Sequence, residues 1–126
     1  MMKQEIRRLP DSELEVMQAV WHCEAPATRK DIERQLSRET PMAATTLLTL
    51  LTRLSEKGFI RTEKEGRGSV YTPLVERHDY LSSQSGSFIR QLCGGSMTTF
   101  ASALCDSGLT REELAELRSA LQENGL

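Results

Sequence analysis

The amino-acid sequence predicts a mainly α fold of the α+β class, in which short helices carry one small β ribbon. Three observations predict it. Leu47, Leu50, Leu51 and Leu54 recur at the i, i+3, i+4, i+7 spacing of one buried helical stripe. Gly58 follows that stripe and opens two short runs of strand-forming residues around Glu65-Gly66-Arg67-Gly68-Ser69. The remaining segments carry helix-start signals at Ser12, Thr28 and Thr110.

The first helix is predicted from Ser12, where Ser12-Glu13-Leu14-Glu15 has the spacing of a capping box, to about Cys23, ahead of Pro26. Leu14, Met17, Val20 and Trp21 form its buried stripe. Thr28 caps a second helix with Asp31 in its first turn, where the helix dipole favours a carboxylate. Ile32 and Leu36 supply its apolar face, and it ends around Arg38. Thr40-Pro41 marks the turn into the third helix. That helix starts either with Thr40 as N-cap and Pro41 in the first turn, or near Ala43.

Opposite its leucine stripe, the third helix presents Thr45, Thr49, Thr52 and Glu56, with Thr46, Arg53 and Lys57 flanking them. Leu48 lies on the border, where it either meets a thymine methyl or widens the core stripe; the core reading is adopted. Gly58 stops the helix as a left-handed cap, with Lys57 in the last turn. Phe59–Glu65 and Val70–Pro73 form a hairpin whose positive φ comes from Gly66 and Gly68, with Arg67 at its tip. Residues 11–75 thus read helix, helix, helix, hairpin: a helix-turn-helix with a wing.

The remainder differs in character. A helix from about Glu76 to Cys93 turns Tyr80, Leu81, Phe88 and Leu92 inward, although Ser82 to Ser87 have poor helix propensity. Gly94-Gly95 breaks it. Met97, Phe100, Ala101 and Leu104 form the stripe of a short helix ending before Gly108. The last helix has a Thr110/Glu113 capping box, a Leu109/Leu114 hydrophobic staple, and the stripe Leu114, Leu117 and Leu121. Three such helices enclose little core by themselves. The expected division is therefore 1–75, a winged-helix DNA-binding domain, and 76–126, a helical dimerisation region. Phe88, Leu92, Met97, Phe100, Leu104, Leu114, Leu117 and Leu121 pack on a second copy across a two-fold axis. The alternative is that they fold back on the winged helix of a monomer.

Composition narrows the function. The chain has 126 residues, 38% hydrophobic, and a net charge of −2. No apolar run reaches transmembrane length, and MMKQEIRRLPDSE lacks the apolar region of a signal peptide, so a cytoplasmic protein without membrane insertion is expected. Cys23, Cys93 and Cys105 are odd in number and unpaired in spacing, which reads as buried or inert reduced thiols; no metal or other cofactor is expected. Residues 1–75 hold 12 Lys/Arg against 11 Asp/Glu, and residues 76–126 hold 4 against 7. Any DNA-binding charge is therefore local. His22 and His78 lie in no nucleophile or metal pattern, and no glycine-rich phosphate loop follows a strand, so no enzyme is indicated. His22, beside Trp21 and Cys23, reads as a helix end near the core.

Thr45, Thr46 and Thr49 occupy the first turns of the third helix, where a major-groove helix meets base edges with hydroxyls and methyls. Arg53, further along, reaches a phosphate, or braces the motif by pairing with Glu33 or another carboxylate of the second helix. Lys57, Arg61, Lys64 and Arg67, with Arg29 and Lys30 on the second helix, are further phosphate candidates; each is alternatively a solvated surface charge. The rival function is a winged helix that binds protein and no nucleic acid. It calls for an apolar exposed helix face and no basic wing tip, which the threonines and Arg67 oppose.

Thr46 to Gly58, TLLTLLTRLSEKG, resembles the recognition helix of the penicillinase-repressor family (BlaI/MecI-type, with copper-responsive CopY relatives). Leu14-Glu15-Val16-Met17 and Trp21 resemble that family's first helix, and Tyr71-Thr72-Pro73 the end of its wing. Gly94-Gly95-Ser96 and Thr110-Arg111-Glu112-Glu113-Leu114 with Leu117-Arg118 resemble its dimerisation region. The resemblance spans Leu9 to Gln122 and implies a dimeric repressor on palindromic double-stranded operator DNA. It also implies inactivation by cleavage in the dimerisation region, by a sensor-linked protease. The place matching the family's Asn-Phe cleavage bond is near Ser102-Ala103, a different pair, so the resemblance names no protease for this chain. The tail Gln122 to Leu126 lacks the paired cysteines of the copper-sensing relatives, so metal sensing does not carry over. Many relatives bear a basic or polar residue where this chain has Leu48.

Overall fold

A computed structural model describes residues 6–36 and 41–124. Its order is α1 (Asp11–His22), β1 (Ala27–Thr28), α2 (Arg29–Leu36), α3 (Ala44–Glu56), β2 (Ile60–Glu65), β3 (Gly68–Pro73), α4 (Arg77–Leu92), α5 (Met97–Cys105) and α6 (Arg111–Glu123). The mainly helical class with one small sheet is the one expected. The chain divides after Gln84, within α4, into two units.

The first unit is built around the back of α3. Leu47, Leu50, Leu51 and Leu54 are all buried, and cluster with Val16, Met17 and Val20 of α1, Ile32 and Leu36 of α2, and Phe59, Ile60 and Tyr71 of the ribbon. Each fully buried leucine contributes roughly 1.5–3 kcal/mol. That outweighs the weak helix propensity of the β-branched threonines on the outer face, a few tenths of a kcal/mol each. Packing, not propensity, holds α3.

Its two ends are set differently. Among the starts considered, the helix takes the one near Ala43, which is the N-cap in extended conformation without a side-chain cap; Thr40 and the expected helix end at Arg38 lie outside the described residues. At the other end Gly58 has φ 81°. Its N–H donates to the Ser55 carbonyl at 3.1 Å and that of Phe59 to the Leu54 carbonyl at 2.9 Å. This is a full Schellman cap, and only the glycine adopts its φ without strain.

The sheet order is β1-β3-β2, all antiparallel. Glu65 pairs with Gly68, leaving Gly66-Arg67 as a two-residue turn with Gly66 at φ 62°. Gly68, expected to supply a second positive φ, does not: it opens β3, two residues before Val70. β1 went unforeseen. Ala27 pairs with Tyr71 and Thr28 with Val70, and two residues are too few for an alternating pattern to be read.

α1 corrects the Ser12 capping box. The helix begins at Asp11 after Pro10, with no side-chain cap, so Ser12 and Glu13 already lie inside the first turn. Its buried residues are Glu13, Val16, Met17, Ala19 and Val20, with Leu14 and Trp21 half-buried beside them. α2 starts as expected: the Asp31 N–H donates to Thr28 Oγ1 at 3.1 Å and the Thr28 N–H to Asp31 Oδ2 at 3.0 Å.

The first turns of α4 belong to this unit. Tyr80 is buried, accepts a hydrogen bond from the Leu9 N–H at 2.9 Å, and sets its ring 5.7 Å from Trp21 and 5.9 Å from Phe59. Trp21 Nε1–H donates to the Val75 carbonyl at 2.9 Å. The unit therefore runs past residue 75. Leu81, expected to face inward, is exposed.

In the second unit, residues 85–124, no described residue is buried. Ser96 caps α5 by accepting from the Thr99 N–H, and Thr110 and Glu113 make the expected capping box on α6. Phe88 meets Phe100 edge-on at 6.0 Å. Leu92, Met97, Leu117 and Leu121 are exposed, while Phe100, Leu104, Leu109 and Leu114 are half-covered. The three cysteines are free; Cys23 and Cys93 are half-buried and Cys105 is exposed, so none is a core thiol.

Candidate nucleic-acid interface

With α3 held from behind, its front is open. Thr45, Thr46, Thr49, Thr52, Arg53 and Glu56 are all exposed. Two threonines bond to their own helix: Thr49 Oγ1 donates to the Thr45 carbonyl at 3.0 Å and Thr52 Oγ1 to the Leu48 carbonyl at 2.9 Å. Their hydroxyl hydrogens are thus occupied, and outward they offer methyls and acceptor lone pairs. Thr45 and Thr46 make no such side-chain bond within the described residues, so each keeps a donor and acceptors facing outward.

Leu48 is 42% exposed. The core reading of this residue is therefore wrong: the four stripe leucines already fill the space behind α3, and Leu48 is left on the front. It lines an open groove of about 540 Å³ between α3, the start of α2 and the wing, together with Thr28, Arg29, Lys30 and Arg67. The fold thus brings Arg29 and Lys30 of α2 and Arg67 of the wing tip, distant in sequence, together beside the reading face. Arg29 also meets Glu33 at 3.5 Å, a half-exposed pair that leaves its guanidinium accessible. The suggested Arg53–Glu33 brace is absent: Glu33 turns to Arg29, and Arg53 makes no ion pair among the described residues.

Two of the seven basic candidates stand elsewhere. Lys57 donates from Nζ to Glu13 Oε1 at 2.5 Å, and Glu13 is only 3% exposed. The ammonium neutralises a carboxylate within the first unit and ties the end of α3 to the start of α1. Arg61 pairs with Glu63 at 2.9 Å, both exposed. Strand alternation places these two on the opposite side of β2 from Thr62, whose hydroxyl donates to Ser55 of α3 at 3.4 Å. Arg61 therefore points away from α3. Lys64 and Arg67 remain exposed along the wing and at its tip.

Glu13 went unnoticed as a buried partner, although a signal existed. It precedes Val16 and Met17 by three and four residues, and so shares their face of α1. At the other end of that helix His22 is exposed, with Nδ1 2.7 Å from the Gln18 carbonyl, rather than set against the core.

Two ionisable groups near the start of α2 are shifted. Hydrogen bonds from the Thr28 backbone and hydroxyl, with a smaller contribution from Arg34, hold the Asp31 carboxyl below its ordinary range. Burial, then the Asp31 charge, push the Cys23 thiol up. Neither shift creates a nucleophile or base. The chemistry this surface offers is contact: short hydroxyls, one leucine and flanking guanidinium and ammonium groups.

Known proteins share this fold. The DNA-binding domain of the repressor BlaI is a structural neighbour at 35% identity and a TM-score of 0.51, covering 64% of this chain and 94% of that one. The monomeric form of Bacillus licheniformis BlaI, solved in complex with the blaP half-operator, aligns at 35% identity and a TM-score of 0.50, over 63% and 94% of the two chains. Over the longer length, the penicillinase repressor of Bacillus licheniformis is 34% identical across 120 residues, 94% of this chain and 93% of that protein. A family model described as penicillinase repressor matches residues 9–123. On this match, which runs through both units, the chain belongs to the penicillinase repressor family.

Proposed function

We propose that the protein is a dimeric, sequence-specific transcriptional repressor that lays α3 in the major groove of a palindromic operator. The observation that carries this reading is the exposed threonine face of α3 beside a groove where Arg29, Lys30 and Arg67 outnumber the carboxylate of Glu65. Thr45, Thr46 and Thr49 contact base edges. Arg29, Lys30, Arg53, Lys64 and Arg67 meet phosphates, which position the reader without carrying sequence information. Lys57 and Arg61 drop out of the phosphate set, because one is held by Glu13 and the other lies across the ribbon. The relative captured on a half-operator supports the docking mode by analogy. The protein acts by binding, in the cytoplasm; no helix among the described residues is long and apolar enough to cross a membrane.

The second unit joins two copies. Its apolar residues Leu92, Met97, Leu117 and Leu121 stand uncovered in the single chain, which is what a two-fold partner would bury. Ser102 and Ala103 sit on α5 with exposed side chains. A cut there by a sensor-linked protease separates Phe100 from Leu104 and the last helix, and so releases the operator. The test of the whole reading is to sequence the genomic fragments that the purified protein retains at physiological salt. A two-fold-symmetric motif is expected; retention without any common motif overturns the reading.

A further inference from the structure

We infer that Leu48 is a specificity-determining residue that selects thymine at one position of each half-site, through the thymine C5-methyl. The inference rests on the DNA-binding reading of α3 and names what the middle of that face accepts. Leu48 stands outside the core at 42% exposure, between threonines on the surface and above the groove that ends at Arg67. A leucine left in water on a helix otherwise backed by buried leucines gains by burial against apolar surface. In a major groove, thymine alone among the four bases presents a methyl.

The neighbours of Leu48 strengthen the selection by what they withhold. Thr49 and Thr52 donate their hydroxyl hydrogens to the Thr45 and Leu48 carbonyls at 3.0 and 2.9 Å. Neither of those two hydroxyls is therefore free to donate beside Leu48. A guanine set against Leu48 would find no donor on that side chain and no free hydroxyl hydrogen on Thr49 or Thr52 for its O6 and N7 acceptors, and leaving them unpaired is costly. A thymine presents its methyl to Leu48, and the adenine across the pair offers an amino donor that the threonine oxygens can accept. Apolar attraction and the missing donor point to the same base pair.

The experiment begins with duplexes that the full-length protein enriches from a randomised pool. The enriched duplex is resynthesised with deoxyuridine replacing each thymine in turn, which removes one methyl and keeps the pairing. At one thymine per half-site the wild-type protein should lose about fourfold in affinity, the weight of one apolar carbon returned to water at about 0.8 kcal/mol. Leu48→Ala should bind the thymine and deoxyuridine duplexes nearly alike. Leu48→Gln, which restores a donor and an acceptor, should shift the preference at that position towards adenine. Because Leu48 is outside the core, circular dichroism of both variants should match the wild type. Enrichment of a motif in which no deoxyuridine weakens wild-type binding overturns the assignment alone, as does a penalty that persists undiminished in Leu48→Ala. Failure to retain any duplex overturns the DNA-binding reading and this assignment with it.

Discussion

Residues of one chemical type do different work here according to what lies behind them. Arg67 at the wing tip and Lys57 at the end of α3 are both cations, yet Lys57 is turned inward to a carboxylate that is 3% exposed. Arg67→Ala should weaken binding to all DNA sequences alike and flatten the salt dependence by about one unit of slope, because a phosphate contact carries no base information. Thr46→Ala should cost about 1 kcal/mol or more at particular base pairs and leave the salt slope alone. Equal relaxation of specificity in both variants would remove the distinction. For the ion pair the order of effects is the prediction. Lys57→Ala strands the Glu13 carboxylate in the core and should cost about 3 kcal/mol of stability. Glu13→Gln leaves a lysine that can still reach water, and should cost less. Urea midpoints in the reverse order would contradict this account of the pair.

At the scale of elements, caps decide where helices begin when hydrophobic pattern alone does not. α2 is short, and the reciprocal Thr28–Asp31 bonds hold its first turn. Thr28→Ala should cost about 1 kcal/mol, read from the urea midpoint. Hydrogen bonds from the Thr28 backbone and hydroxyl keep the Asp31 carboxyl below its ordinary range. A carboxyl depressed by folding stabilises the native state above its unfolded pKa, and that contribution is lost as pH falls through the folded value. Stability should therefore decline on acidification below about pH 4, and less so in Asp31→Asn. A carboxyl titration by NMR with a midpoint at or above the ordinary aspartate value would contradict the cap. The sheet is decided differently. β1 exists because Ala27 and Thr28 find Tyr71 and Val70 alongside, not because two residues prefer to be extended.

For the whole molecule, the point at which the reader ends matters most. Tyr80 bonds to Leu9 and packs on Trp21 and Phe59, so a chain truncated after residue 75 loses a buried aromatic, at a cost of about 3–5 kcal/mol. A chain truncated after Gln84 keeps it. This longer fragment should stay folded by circular dichroism and sediment as a monomer. It should bind the palindrome about 10²–10⁴-fold more weakly than the full chain, because two linked readers share a high effective concentration. Full operator affinity from that monomer would refute the dimer and the proposed cleavage switch together.

The sequence by itself determined what depends on nearest neighbours along the chain. The period of Leu47, Leu50, Leu51 and Leu54 dictates which face of α3 is buried; Gly58 dictates where it stops; Thr110 and Glu113 dictate where α6 starts. These follow from helical geometry and local hydrogen bonding, which act between residues a turn or two apart in sequence. What only the tertiary structure decided depends on residues far apart in sequence. Leu48 faces outward because four other leucines already fill the space behind the helix. Lys57 is withdrawn from the surface because Glu13, 44 residues earlier, lies within reach. Arg29, Lys30 and Arg67 share one groove because α2 and the wing tip approach the same side of α3. Local pattern assigns each residue a face, but which faces meet is settled by long-range packing, and the candidate DNA surface is made of those meetings.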